Sequence, residues 1–286
     1  MSHHLLTPGV WYTDFVPSGD RPVLGLVSGQ RGSLLIDGGN SPAQVQELLD
    51  LAQTEGLPAL RGVLLTHWHW DHCFGAVSTG LPVFAQESTK ARLDWMRELE
   101  WTDAALARRV EEGTEMEFCR ENIRIEWPDD HRKIQIPQAD VSFGDWLTVD
   151  LGGLTAQVLH VESDHTPDCC VVHLPEPSVV FLGDSLYLNM DHEPWYRTRK
   201  RTLPLLEQLL ALDAQWYLPA HHEFYTRETF RDYVFYQRQI AEIVGDARTD
   251  EALGTRFHQA FGREALPEDW EEMTQYLLGN QKEEGF

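Results

Sequence analysis

Positive charge is scarce in this 286-residue chain. Its 23 Lys and Arg stand against 46 Asp and Glu, a formal net charge of −23. Nucleic-acid binding needs clustered cations to displace counterions from phosphates, so this balance argues against such a partner; an acidic surface serves solubility. Cysteine is sparse as well. Cys73, Cys119, Cys169 and Cys170 show no framework spacing, and the adjacent pair would point to opposite faces of a strand, a poor geometry for a disulfide. A reducing compartment is expected. No window approaches the ~18 apolar residues of a membrane span, and no basic segment leads into an apolar run near residue 1, so no signal peptide is expected. The expectation is a cytoplasmic protein with no membrane partner.

Repeats, low-complexity tracts and linker-like stretches are also lacking, and proline is missing from Glu87 to Trp127. The length suffices to bury a core without help from cysteines or metals. Short strands are predicted at Val10–Phe15, Val23–Val27, Leu34–Ile36 and Val63–Leu65. Between the last two, Ser41 can cap a helix with Pro42 in its first turn and Val45, Leu48 and Leu49 on its apolar face. The proline-free stretch reads as helical, with Trp95, Leu99, Leu106 and Val110 at helical spacing and Thr102 or Asp103 able to cap a second helix. It is either a cover over a site or an ordinary packing pair. Strands return at Trp146–Val149, Thr155–His160, Cys170–Leu174 and Val179–Leu182. A helix from about Thr202 to Leu212 and a strand at Trp216–Leu218 follow. Beyond Thr226 a helical tail carries the stripe Phe230, Val234, Gln237, Ala241 and Val244. All of this is expected to form one layered α/β domain over residues 1–286, with a helical insertion at about 87–127 and a helical tail at about 226–286.

What is abundant is histidine at one place. Residues 66–72 read Thr-His-Trp-His-Trp-Asp-His. If the chain leaves its strand extended, His67, His69 and Asp71 project to one side and Trp68 and Trp70 to the other. His72 swings back as the chain bends toward Gly75. Imidazoles and a carboxylate together suit borderline divalent metals, but four donors in six residues hold two ions only if distant residues complete the set. Suitable residues follow three later strands: Asp164-His165-Thr166-Pro167-Asp168, Gly183-Asp184 and Pro219-Ala220-His221-His222. Open α/β sheets place their sites at such strand ends.

This ordered set resembles the metallo-β-lactamase-fold hydrolases. They carry H-x-H-x-D-H, a Gly-His-Thr/Ser-Pro-Gly-like turn, a Gly-Asp after a strand, and a Pro-Gly-His-like turn. The resemblance spans roughly residues 5–225 and implies a four-layer αββα sandwich. It also implies that His67, His69 and His165 bind a first metal, that Asp71, His72 and His221 bind a second, and that Asp184 bridges them. Two divalent ions are expected, zinc first, with manganese or iron as alternatives. Three departures stand out: Phe74 replaces one glycine after the first motif, Asp164 and Asp168 replace the glycines flanking the second, and Ala220 and His222 stand at the glycine positions of the fourth. These changes are expected to alter the cavity rim.

Other residues have competing readings. His222 could replace His221. His160 reads as a hydrogen-bonded core histidine, His3 and His4 as a mobile terminus, and Cys73 as packing. Asp37 either orients the histidine motif or makes local turn contacts. Tyr187 lies three residues after Asp184, the offset at which acyl-homoserine lactonases of this family place a tyrosine facing the substrate carbonyl; a core tyrosine is the alternative. Arg197, Arg199, Lys200 and Arg201, beside Trp195 and Tyr196, form either an anion site or a solvated run. The expected function is hydrolysis of a small-molecule carboxylic ester, lactone or thioester by a hydroxide shared between two metals, with Asp71 or a group just outside the ligands handling the proton and Tyr187 donating to the oxyanion. The alternatives are a mononuclear iron oxygenase acting on thiols or persulfides and a phosphodiesterase for a small phosphorylated substrate.

Overall fold

A computed structural model describes residues 3–128, 134–190 and 193–282. The first half builds a seven-stranded sheet in the order β1 (His3–Thr7), β2 (Val10–Thr13), β3 (Gly25–Ser28), β4 (Ser33–Ile36), β5 (Leu60–Leu64), β6 (Val83–Gln86) and β7 (Val141–Phe143). Pairing from β1 to β4 is antiparallel, and pairing from β4 to β7 is parallel. The parallel step from β4 to β5 needs a crossover, supplied by α1 (Pro42–Thr54). Ser41 caps that helix as expected, its side chain accepting from Gln44 N, and Val45 and Leu48 are buried.

The second half builds a six-stranded sheet in the order β13 (Tyr225–Thr226), β12 (Trp216–Pro219), β11 (Val179–Gly183), β10 (Cys170–Leu174), β9 (Thr155–His160) and β8 (Trp146–Asp150). Three apolar seams hold the layers. Between the sheets, Val27, Leu34 and Leu64 meet Val158, Val172 and Phe181. Outside the first sheet, Leu35 and Val63 pack on α1 and the helices of the insertion. Outside the second, Val171 and Val180 pack on α6 (Arg199–Ala211) and α7 (Arg227–Val244). The result is the expected four-layer αββα sandwich. Cys170 enters the seam between the sheets and Cys169 the seam beneath the helices, the alternation expected of strand neighbours, and all four cysteines are free thiols.

The insertion holds three helices where two were expected, besides the short α2 (Trp70–Cys73) at the histidine motif: α3 (Glu87–Met96), α4 (Asp103–Glu111) and α5 (Glu117–Glu126). Thr102 is the cap of α4, accepting from Ala105 N. The expected apolar stripe is partly wrong: Leu93, Met96 and Leu106 are buried, whereas Trp95 is 45% exposed. The tail is also interrupted. Gly245 at positive φ closes α7, and α8 (Leu253–Phe261) and α9 (Pro267–Lys282) fold back on it. The stripe Phe230, Val234, Gln237, Ala241 and Val244 is buried throughout. Residues 283–286 of the expected tail lie outside the described residues. Among the described residues no helix is long and apolar enough to cross a membrane. His3 and His4 belong to β1 rather than to a loose end, and His4 Nε2 lies 2.9 Å from Asp14 Oδ1.

Candidate metal centre

The seven residues expected as ligands converge where β5, β9, β11 and β12 end. His67 and His69 leave β5, and Asp71 and His72 lie on α2. His165 follows β9, Asp184 follows β11, and His221 follows β12. A close backbone approach makes the convergence possible. Gly183 has φ +51, and a Cβ there would meet Thr66 Oγ1 at 2.7 Å, so only glycine lets the end of β11 bring Asp184 against the histidine motif. Gly75 acts by proximity too: a Cβ would meet Gly38 O at 2.3 Å, and its own N–H bonds to Gly39 O.

The donors form two groups that share Asp184. In the first are His67, His69, His165 and Asp184; in the second are Asp71, His72, Asp184 and His221. In the first, His69 Nδ1 lies 2.9 Å from His165 Nε2, and Asp184 Oδ2 lies 3.3 Å from His165 Nε2 and 3.7 Å from His67 Nε2. In the second, Asp71 Oδ2 lies 3.2 Å from His72 Nε2 and 3.1 Å from His221 Nε2. Asp184 reaches the same two nitrogens at 3.4 and 3.5 Å. Donors around a tetrahedral zinc with bonds of about 2.0–2.1 Å stand about 3.3 Å apart, so both groups have the separations of a metal site. His67 Nε2, His72 Nε2 and Asp184 Oδ1 are buried and lack a hydrogen-bond partner. Such atoms are costly unless something coordinates them, and the donor set therefore fits a pair of divalent ions.

The surrounding charges are arranged accordingly. Burial, with the neighbouring imidazoles, keeps His67 well below the usual histidine value and pushes His69 down to about 3, so both are neutral and carry a free lone pair. Burial also opposes charge on His72 and His221, but the carboxylates around them, Asp71 and Asp184 among them, outweigh it and raise both well above the ordinary range. Burial disfavours charge on Asp71 and Asp184 too; the facing histidines prevail and hold both carboxyls low. A cation is what this second group is built to receive, whether protons or a metal.

Outer contacts fix the donor side chains. Asp37, in the left-handed region at φ +61, accepts from Thr66 N and Thr66 Oγ1 and lies 2.8 Å from His72 Nδ1. Of its two readings, orienting the motif is the one realised. His165 Nδ1 lies 3.1 Å from Leu188 O. His221, not His222, reaches the acidic pair; His222 is exposed and faces the Tyr187 ring. Tyr187 Oη accepts the His221 backbone N–H at 2.9 Å. His160 Nε2 lies 2.7 Å from Pro167 O, a structural contact, and Cys73 is buried packing. Sequence reading missed Asp20, whose Oδ1 lies 3.3 Å from His221 Nδ1. Its only signal was the Ser18-Gly19-Asp20 turn, and nothing local links that turn to a residue two hundred positions away.

The family model of the metallo-beta-lactamase superfamily matches residues 22–78, which include the histidine motif. A metallo-beta-lactamase family protein from Thermus thermophilus superposes with a TM-score of 0.59 at 21% identity, covering 98% of this chain and 95% of that one. The chain has the metallo-β-lactamase fold. A beta-lactamase domain protein from Burkholderia ambifaria is similar as well (TM-score 0.60, 19% identity, 97% and 86% covered). So is a sec-alkylsulfatase from Pseudomonas sp., at a TM-score of 0.63 and 16% identity over 86% of this chain and 42% of that one. At such identities the likeness is one of fold. No curated protein sequence matches.

Within this metallo-β-lactamase fold the donor groups open onto a cavity of about 350 Å³. Trp68 and Trp70 line it together with His69 and Asp71, contrary to the alternation expected of an extended chain. The reason is local: the chain bends at Thr66 and His67 and α2 begins at Trp70, so no extended run passes through the motif. Phe74 is not at the rim but buried against Trp70 and Trp101. Asp164 and Asp168 are likewise not rim residues. Asp164 accepts from Thr198 N, Thr198 Oγ1 and Thr202 Oγ1, which starts α6 earlier than expected. Asp168 accepts from Thr166 Oγ1 and Thr89 Oγ1, and Thr166 in turn accepts from Trp68 Nε1, locking that wall. Arg197 lies away from the cavity, buried with Gln237 and Glu272 of the tail, and Arg199 pairs with Asp246. Neither these two nor Lys200 and Arg201 line the site. The insertion does line it, through residues of α3, α5 and the segments flanking α4.

Proposed function

We propose that this protein is a hydrolase that uses two divalent metal ions, zinc above all, to cleave a carboxylic ester, lactone or thioester of a small molecule. The observation that carries the reading is the pair of donor groups sharing Asp184, with buried, partnerless His67 Nε2 and His72 Nε2 facing it. Two such ions supply a hydroxide at neutral pH, by lowering the pKa of water from about 15.7 to about 7, and polarise the scissile carbonyl.

The chain's own groups would do the rest. Asp71 would hold a metal through Oδ2, which faces His72 Nε2 and His221 Nε2, leaving its other oxygen to take a proton during attack. Tyr187 lines the cavity, and burial keeps its phenol protonated, with Asp184 reinforcing this. Because its oxygen accepts from His221 N, its own hydrogen is free to point at a developing oxyanion. The indoles of Trp68 and Trp70 exclude water from one side. An acyl substrate is favoured over a phosphodiester because no Lys or Arg is among the described residues lining the cavity.

Metal analysis of replete protein tests the reading: close to two ions per chain are expected, with turnover in a screen of esters, lactones and thioesters. One iron alone, with oxygen consumed on thiol addition, would replace it by a thiol oxygenase. A companion prediction concerns Asp20. Its Oδ1 lies 3.3 Å from His221 Nδ1, close but not aligned as a hydrogen bond, and losing an outer partner of a ligand imidazole typically costs about 10–100-fold in metal affinity. Asp20→Ala is therefore expected to weaken one of two metal-binding steps by that factor and leave the other unchanged in a competitive chelator titration. Equal weakening of both steps would show that Asp20 acts on the fold rather than on His221.

A further inference from the structure

The cavity has a face supplied by the insertion, whose chemistry is distinctive. Its wall is Trp95, Met96, Leu99, Trp101, Met116 and Phe118, all from the insertion. Trp95 and Phe118 are 45% and 47% exposed, large apolar groups held in the open at the cavity. Exposed apolar groups lining a concave site are typical of ligand pockets. Polar residues on this face are few, and the acidic one is Glu115. Charged, such a carboxylate repels an anion; protonated, it gives an anion no counter-charge. Two cations stand near this face without lining it: Arg109, whose Nε lies 3.8 Å from Glu115 and whose Nη1 donates to Glu100 O, and Arg92, stacked 5.9 Å over the Trp95 ring. Cys119 adds no charge, because burial raises its thiol well above the usual range. The methionines Met96 and Met116 are flexible and adapt to chains of varying shape.

We propose that this wall is a subsite for an uncharged alkyl chain carried by the substrate, and that it discriminates against substrates whose distal group is anionic. The inference deepens the hydrolase reading and rests on it for the bond cleaved. The binding part stands on the cavity alone. A volume of about 350 Å³ is at the small end of ligand pockets, which run from about 300 to 1,000 Å³. Each buried methylene contributes about 0.8 kcal/mol, a factor of about four in affinity.

The test uses probes that cannot be hydrolysed: methyl ketones with alkyl chains from propyl to octyl, titrated into metal-loaded protein and followed by the fluorescence of the cavity tryptophans. Dissociation constants are expected to fall by about fourfold per methylene until the cavity is full. The same chain ending in a carboxylate should bind at least about tenfold more weakly. Trp95→Ala and Phe118→Ala, both at partly exposed positions, should flatten the dependence on chain length with metal content unchanged. Binding that ignores chain length, a carboxylate-ended ketone that binds as tightly, or variants that keep the full slope would each overturn the proposal. If the ketones behave as expected while the matching esters, lactones and thioesters are not cleaved, the subsite stands and the assigned bond type falls. If those substrates are cleaved without regard to chain length, the subsite falls and the hydrolase reading stands.

Discussion

Asp184→Ala is expected to abolish high-affinity binding of both metals and to lower kcat/KM by at least about 10³-fold, since loss of an outer partner alone already costs about 10–100-fold. The geometry singles out this residue. Its Oδ2 lies within 3.7 Å of His67, His165 and His221, and its Oδ1 lies 3.4 Å from His72. No other described side chain belongs to both donor groups. Its loss also leaves Asp71 as the one carboxylate facing His72 and His221 within the second group. The remaining donors divide cleanly. His69→Ala or His165→Ala should remove one ion first, and Asp71→Ala or His221→Ala the other. His222→Ala should change neither, because its ring faces Tyr187 from outside both groups. Elemental analysis after dialysis reads all of these. An Asp184→Ala protein that keeps two ions would show that the shared carboxylate is not the bridge.

The donor positions were legible in the sequence because each sits one to eight residues beyond an apolar run that reads as a buried strand. Thr155–His160 and Cys170–Leu174 match the observed strands residue for residue. The strands that escaped notice, β1, β6, β7 and β13, have between two and five residues and little alternation; what makes them strands is pairing with a neighbour already in place. Propensity is weak evidence at that length.

Orientation was less legible than position. The period-two argument failed for Trp68 because the chain bends at Thr66 and His67, and for Trp70 because a helical turn begins there, and a four-residue helix has no periodicity to detect. Asp164 and Asp168 looked like substitutions at a rim because the family comparison names what stands at a position and not where its side chain goes. Both turn inward to hydroxyls of Thr198, Thr202, Thr166 and Thr89, partners supplied largely by distant segments. Asp20 shows the same limit from the other side. Its loop is held by α5, where Glu126 takes Arg21 bidentately and Asn122 accepts from Gly19 N. A carboxylate facing His221 thus depends on an insertion that sequence alone gave no reason to connect with it.

Tyr187→Phe is expected to lower kcat on the best ester or lactone by roughly tenfold to a hundredfold. A fully preorganised oxyanion donor is worth about 2.7–4 kcal/mol, and a donor assisted by two metals should fall at or below the low end. The structure adds a second consequence. Phenylalanine also removes the acceptor of the His221 backbone N–H, and an unpaired buried donor costs about 1–3 kcal/mol. Some of that cost would appear as weaker binding of one metal, because His221 carries its ligand atom on the same residue. The two effects separate by titration: at saturating metal the positioning defect is restored, while the missing oxyanion donor is not. The pH profile separates them again. Burial lifts the phenol well above its usual value near 10, so wild-type activity should show no alkaline loss from this group below about pH 10. A Phe variant that regains full kcat once metal is saturating would reduce Tyr187 to a prop for His221. The preference for carbonyl substrates would then rest only on the lack of Lys and Arg among the described residues lining the cavity.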